Sequence, residues 1–114
     1  MEAGSVIRAL AALAQEHRLA VFRLLVQAGP EGMPAGALAG AVGVPASSMS
    51  FHLAQLANAG LVTQRRQSRS IIYAADYAAM NGLMGYLTEN CCGGIACAPA
   101  AACTPPVSDA KDVA

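Results

Sequence analysis

The sequence predicts a mainly α-helical chain with one small β-hairpin. Three features of its 114 residues point there. Apolar residues recur at helical spacing through the first sixty positions. Between Leu61 and Ala75 the texture changes to two short strand-like runs. After residue 90 the chain turns to Ala, Pro and Gly with little to pack, and there it gathers all four cysteines.

Each element has its own reason. Val6, Leu10, Leu13 and Ala14 fall at i, i+4, i+7 and i+8, the stripe of an amphipathic helix. Residues 17–28 (HRLAVFRLLVQA) are apolar almost all round, which predicts a central, buried helix, and GPEG at 29–32 ends it. Residues 34–42 (PAGALAGAV) predict a short helix of small residues stopped by Gly43. Pro45 suits the first turn of the next helix, which runs to about Ala59 with Gly60 as its cap. Leu61 to Arg66 and Ser70 to Ala75 (SIIYAA) predict two strands with Gln67-Ser68-Arg69 between them. Asp76 is placed to cap a last helix over 76–90. Met80, Leu83, Met84 and Leu87 form its apolar stripe. Gly82 and Gly85 weaken that helix by about 1 kcal/mol each, but they permit close helix approach, so the stripe is a candidate dimer seam. Residues 1–90 then form the folded unit and residues 91–114 a flexible, cysteine-bearing tail.

Composition narrows the function. Hydrophobic residues make up 55 %, much of it alanine, yet no apolar run reaches the ~18 to 20 residues that span a bilayer. The first residues, Met-Glu-Ala-Gly-Ser, lack the basic and apolar regions of a secretory signal. A reducing, cytoplasmic setting is expected, where clustered cysteines bind metal or do redox work more often than they form structural disulfides. The formal net charge is zero, but no acid falls between Gly32 and Ala75, a stretch holding Arg65, Arg66, Arg69 and His52. A neutral chain with a basic face can still steer a polyanion. A solvated charge cluster in a turn is the competing reading.

Two short helices joined at Gly43 and followed by a hairpin describe a winged helix-turn-helix. On the helix from Pro45, Met49, Leu53 and Leu56 mark the core side at 100° per residue. Ser47, Phe51, Ala54 and Asn58 point the other way, flanked by Ser48, Ser50 and Gln55. Serine hydroxyls suit phosphate or base edges, Gln55 suits adenine, and Phe51 suits a thymine methyl. An ordinary polar helix face is the alternative, with Phe51 in an interface. His52 falls near the core edge and reads as structural. Arg65, Arg66 and Arg69 at the hairpin suit phosphates or a narrow minor groove.

Several motifs in order carry a family likeness. They are Glu16-His17-Arg18-Leu19 with Phe22-Arg23-Leu24-Leu25; Leu38-Ala39 with Val42-Gly43-Val44; Ser47-Ser48-Met49-Ser50-Phe51-His52-Leu53 with Leu56 and Ala59-Gly60-Leu61-Val62; and Arg65-Arg66-Gln67-Ser68-Arg69 with Tyr73. Over roughly residues 6–90 the chain resembles the ArsR/SmtB family of bacterial metal-responsive repressors. The likeness implies a homodimer built on the first and last helices, and operator DNA as partner. The family usually has Glu-Gly at the wing turn, where this chain has Gln67-Ser68.

The cysteines suggest the inducer. Thiolate selects soft acceptors, and Cys91, Cys92 and Cys97 lie close in sequence. In a regular helix Cys91 and Cys92 would point apart, so the helix is expected to fray at Asn90, with Gly93-Gly94 folding the chain back to bring Cys97 in. Trivalent arsenic or antimony needs three thiolates in a pyramid, and these three match it. Zinc prefers four ligands and would add Cys103, but Cys-Cys-x4-Cys-x5-Cys is a poor match to paired C-x2–4-C units. The segment Gly32–Gly36 lacks the Cys-x-Cys of one branch of the family, and Asp76 is followed by no histidines, so a second branch's zinc site cannot be built. Asn-Cys-Cys-Gly-Gly resembles the arsenite-responsive members with C-terminal sites. The expected function is an arsenite-responsive repressor, with As(III) as inducer, Sb(III) or methylarsenite as variants, and no organic cofactor. Rival readings are a repressor responding to zinc, another thiophilic metal or thiol redox state; a metalloid-sequestering protein; and a thiol enzyme. The last is disfavoured because these cysteines follow a helix C-terminus after Glu89, where the field opposes thiolate formation.

Overall fold

A computed structural model describes residues 1–94. Five helices surround a three-stranded sheet: α1 (Ala3–Leu13), α2 (Glu16–Ala28), β1 (Met33–Pro34), α3 (Ala35–Val42), α4 (Ala46–Asn58), β2 (Val62–Gln67), β3 (Ser70–Ala75) and α5 (Tyr77–Leu87), followed by one 3-10 turn, Cys91–Gly94. The sheet order is β1-β3-β2, all antiparallel. This is the winged helix-turn-helix that the sequence predicts. No single helix among the described residues is long and apolar enough to cross a membrane.

Leu25, Leu38, Met49, Leu53, Leu56, Leu61 and Val21 are the largest fully buried side chains. They come from α2, α3, α4 and the start of the wing, so a single core holds α4 in place. Between α3 and α4 the chain turns through 109°, within the range of the motif. Gly43 makes that turn in the left-handed region (φ 81°, ψ 36°), and its N–H donates to the Ala39 carbonyl at 2.8 Å. Pro45 stands one residue before α4 as its N-cap, and Gly60 (φ 79°) follows its end.

Four local expectations are corrected. The buried stripe of α1 is Val6, Ala9 and Ala12 with Leu13 half-buried, while Leu10 and Ala14 are exposed. Small Ala9 and Ala12 suit a close approach, which turns Leu10 outward. The second helix is not buried all round: Val21, Phe22 and Leu25 enter the core, but Leu19 is 46 % exposed. That outer side lines an open groove of about 290 Å³ with Leu13, Val26, Met80, Leu83 and Met84. The last helix stops at Leu87 instead of Asn90: the Glu89 N–H drops to the Tyr86 carbonyl at 3.3 Å, a tighter turn, and Asn90 takes φ 56°. Pro34, expected as the first residue of a helix over 34–42, instead forms with Met33 a third strand, with Met33 opposite Tyr73 and Pro34 opposite Ile72 on the sheet edge, where a missing N–H is tolerated.

Two ties set the position of α5. Asp76 caps it as expected, accepting from the Ala79 N–H at 3.0 Å. The Tyr77 hydroxyl donates to the Val26 carbonyl at 2.9 Å, in the last turn of α2. Gly82, half-buried, faces the Met1 side chain, and Gly85 faces open space.

Candidate nucleic-acid interface and thiol turn

Burial along α4 follows the helical period. Met49, Leu53 and Leu56 are buried, and Ser47, Ser50, Phe51, Ala54 and Asn58 are exposed along one face. Phe51, at 58 % exposure, is the largest apolar side chain on that face. Ser48 and Gln55 are half-buried at its margins. Gln55 lies on the α1 side, lining a shallow groove with Arg8, Ala11, Ala12 and Asn58. The face is thus small, hydroxyl-rich at its N-terminal end and free of acids, a surface that fits a major groove.

The wing separates arginines that are adjacent in sequence. Side chains alternate along a strand, so Arg65 and Arg66 leave β2 on opposite faces. Arg65, opposite Ile72, reaches across the middle strand. Its guanidinium donates to the Glu31 carbonyl at 2.9 Å, and to the Pro30 carbonyl and Gln67 Oε1 at 3.4 Å. Arg66 and Arg69 are exposed, and their side chains make no hydrogen bond among the described residues. The hairpin closes on Ser68 and Arg69 with Gln67 opposite Ser70, and Ser68 takes φ 56°.

This asymmetry gives an expected result. Arg66→Ala flattens the salt dependence of binding on any duplex DNA, by about one phosphate contact, because its side chain is free to release counterions. Arg65→Ala lowers thermal stability and changes the salt slope less. Salt titrations of the two single variants by fluorescence anisotropy check this. Equal slopes for both would remove the distinction.

Beyond α5 the backbone bends sharply. Asn90 (φ 56°), Cys92 (φ 58°) and Gly93 (φ 71°) all take positive φ, and the Cys91 N–H donates to the Thr88 carbonyl at 3.0 Å. Two non-glycine residues in this region are held at a cost of about 1 kcal/mol each. Cys91 is half-buried and Cys92 exposed, and both are free thiols. Among the described residues no third His, Cys, Asp or Glu joins them in a metal-binding group. Cys97 and Cys103 lie outside the described residues.

Sequence reasoning missed one set of contacts. Arg18, His17 and His52 meet where α2 begins, with the two histidine rings 5.6 Å apart. The residues are 34 positions apart in sequence, and no local pattern announces the pair.

Known proteins place this architecture. The helix-turn-helix domain family matches residues 13–65. The HTH-type transcriptional regulator YgaV of Escherichia coli K12 is 31 % identical over 83 residues, covering 73 % of this chain and 82 % of that protein. The nodulation protein NolR of Rhizobium meliloti is 36 % identical over 80 residues, covering 70 % of this chain and 63 % of that protein. An ArsR-like transcriptional regulator from Rhodococcus sp. RHA1 superposes with a TM-score of 0.65 at 28 % identity, over 74 % of this chain and 76 % of its own. The chain belongs to the ArsR family of winged helix-turn-helix transcriptional regulators. Two further structures share the fold. One is the homodimeric winged helix-turn-helix domain of a possible ArsR-family regulator from Mycobacterium bovis (TM-score 0.60, 29 % identity, 76 % and 81 % covered). The other is described as a possible transcriptional regulator for arsenical resistance (TM-score 0.61, 28 % identity, 69 % and 79 % covered).

Proposed function

We propose that this ArsR-family regulator is an arsenite-responsive repressor. As a homodimer it binds operator DNA through α4 and the wing, and it lets go when Cys91, Cys92 and Cys97 take up trivalent arsenic. Antimonite and methylarsenite belong to the same inducer class. Residues 1–90 are the reading and dimerising unit, and residues 91–114 carry the sensor. The observation that supports this most is the thiol turn. Two adjacent cysteines sit in the 3-10 turn beyond α5, and the left-handed Asn90, Cys92 and Gly93 (φ 56°, 58° and 71°) bend the backbone around them.

Dimerisation is supported by what α1 and α5 leave uncovered. Ile7 (66 % exposed) and Leu10 on α1, and Met84 and Leu87 on α5, are large apolar side chains facing water. A patch of this kind marks an interaction surface, and the Mycobacterium bovis domain of the same fold is a homodimer. A two-fold pair sets two α4 helices about 34 Å apart, one DNA turn. Metalloid capture at the end of α5 then alters the seam and with it that spacing. By linkage, DNA weakens metalloid binding by the same factor, with ~1 to 3 kcal/mol a usual coupling.

On this reading α4 supplies sequence choice. Ser47→Ala is expected to cost about 1 to 3 kcal/mol on operator DNA while leaving random DNA nearly unchanged. Competition binding checks it, and equal losses on both DNAs would reduce this face to a backbone contact. The test of the whole proposal is a titration of the protein bound to its own promoter duplex, under reducing conditions, with arsenite, antimonite, methylarsenite and zinc. Arsenite is expected to dissociate the complex and zinc to leave it intact. Release by zinc as readily as by arsenite would overturn the metalloid assignment in favour of a four-thiolate site including Cys103.

A further inference from the structure

The first turn of α2 carries a polar cluster that the reading face does not use. Gln15 caps the helix by accepting from the Arg18 backbone N–H at 2.9 Å. The Arg18 side chain turns away from that cap. Its Nε donates to the Ala12 carbonyl at 2.7 Å, and its Nη1 lies 3.4 Å from His52 Nδ1. Ala12 sits in the last turn of α1, where carbonyls have no helical partner. One guanidinium therefore joins the end of α1, the start of α2 and the middle of the reading helix.

The contact to His52 fixes a proton. Arginine has donors only, so the pair is a hydrogen bond only when Nδ1 accepts, with the ring neutral and its proton on Nε2. A protonated ring would set N–H against N–H and place a second cation beside the guanidinium. The groups around His52 do nothing to offset this. From α2 it meets Arg18 and His17, whose own Nε2 lies 3.8 Å from the Glu16 carboxylate. On α4 the Phe51 ring stands edge-on at 6.0 Å. Burial first, then Arg18, then His17 hold the His52 pKa below its ordinary 6.5.

We propose that Arg18 and His52 form a positioning clamp that seats the reading helix against the end of α1, and that the clamp closes only while the His52 ring is neutral. The inference rests on the reading of α4 as the DNA-contacting helix. The folded-state pKa is depressed, so the clamp is complete above pH 6.5 and is lost as pH falls through the lower folded value. On the dimer reading above, α1 belongs to the seam. Opening the clamp therefore uncouples the reading helix from the spacing set there, and specific binding weakens. A charged His52 beside the reading face also strengthens attachment to any phosphate backbone. That second effect acts on operator and random duplex alike, so the ratio of specific to non-specific affinity reads the clamp alone.

The readout is that ratio, for the promoter duplex against a random duplex of equal length, between about pH 7.5 and 5.5. The wild-type ratio is expected to fall by up to about tenfold per pH unit below the folded pKa for each His52 ring, one per subunit, and so by up to about a hundredfold for the dimer. His52→Asn keeps an acceptor where Nδ1 stands but takes up no proton, so its ratio stays near the wild-type value at pH 7.5 and is flat on acidification. Arg18→Ala gives a low, flat ratio. In the free protein, imidazole nitrogen shifts should report Nδ1 unprotonated at neutral pH and a His52 pKa that rises in Arg18→Ala. A merely structural role for Arg18 would leave the pH profile unmoved. A flat wild-type ratio, a His52→Asn profile that tracks the wild type, or a protonated Nδ1 at neutral pH overturns the clamp. If the promoter duplex is not preferred even at pH 7.5, the DNA reading fails, and the nitrogen shifts alone then decide the clamp.

Discussion

Cys91→Ser and Cys92→Ser are each expected to yield a dimer that binds promoter DNA as tightly as the wild type but is no longer released by arsenite. Both residues lie beyond α5, outside the core that seats α4, so loss of a thiol there leaves the reading head intact. Cys97→Ser should behave in the same way, and Cys103→Ser should respond nearly normally, because a pyramidal trivalent centre is complete with three thiolates. The effect is all-or-none. A response that needs an added arsenite concentration orders of magnitude higher corresponds to several kcal/mol of lost binding. Anisotropy of labelled duplex during arsenite titration reads it directly. A requirement for Cys103 with Cys97 dispensable would reject the choice of third ligand, and a requirement for all four would favour tetrahedral zinc.

Among the described glycines, Gly32→Ala is expected to be the most damaging substitution. Gly32 takes φ 72°, and a Cβ there would collide with the Tyr73 carbonyl and press on the Ile72 side chain. It immediately precedes β1, whose Met33 pairs with that same Tyr73. The residue therefore cannot relieve the collision without breaking the register of the middle strand. Strain of this kind and a displaced strand cost about 3 kcal/mol or more, which lowers Tm by about 12 °C or more in a domain of this size. Gly43→Ala is the control. It has the same sign of φ (81°) but meets nothing within 4 Å, so its cost is the left-handed penalty alone, about 1 kcal/mol. Thermal melts of both variants check this, and equal losses would show that backbone conformation, not the collision, decides the outcome.

Much of the fold could be read from local chemistry because it is locally determined. Asp76 caps α5, Gly43 turns the motif, and Met49, Leu53 and Leu56 point inward on a plain helical wheel. The errors share a different cause. Leu10 fits the helical period, but Ala9 and Ala12 are the small residues that turn inward, and only the neighbouring helices select between the two faces. β1 has two residues and is a strand solely because β3 lies beside it. For the site, the exposed face of α4 follows from periodicity. The diversion of Arg65 to the Glu31 carbonyl and the meeting of Arg18 with His52 depend on segments more than thirty positions apart, and nothing in either segment encodes the other.

The Tyr77 hydroxyl on the Val26 carbonyl makes α5 a lever with one fixed end. The helix is pinned at its first residue and carries the thiol turn beyond its last, with 11 residues, about 16 Å, between. A tilt of about 5° around that pivot leaves the α2 contact almost still and sweeps the far end by about 1.4 Å. A ligand that draws the cysteines together therefore moves Met84 and Leu87 furthest, with a mechanical advantage set by helix length rather than by the strength of any one contact.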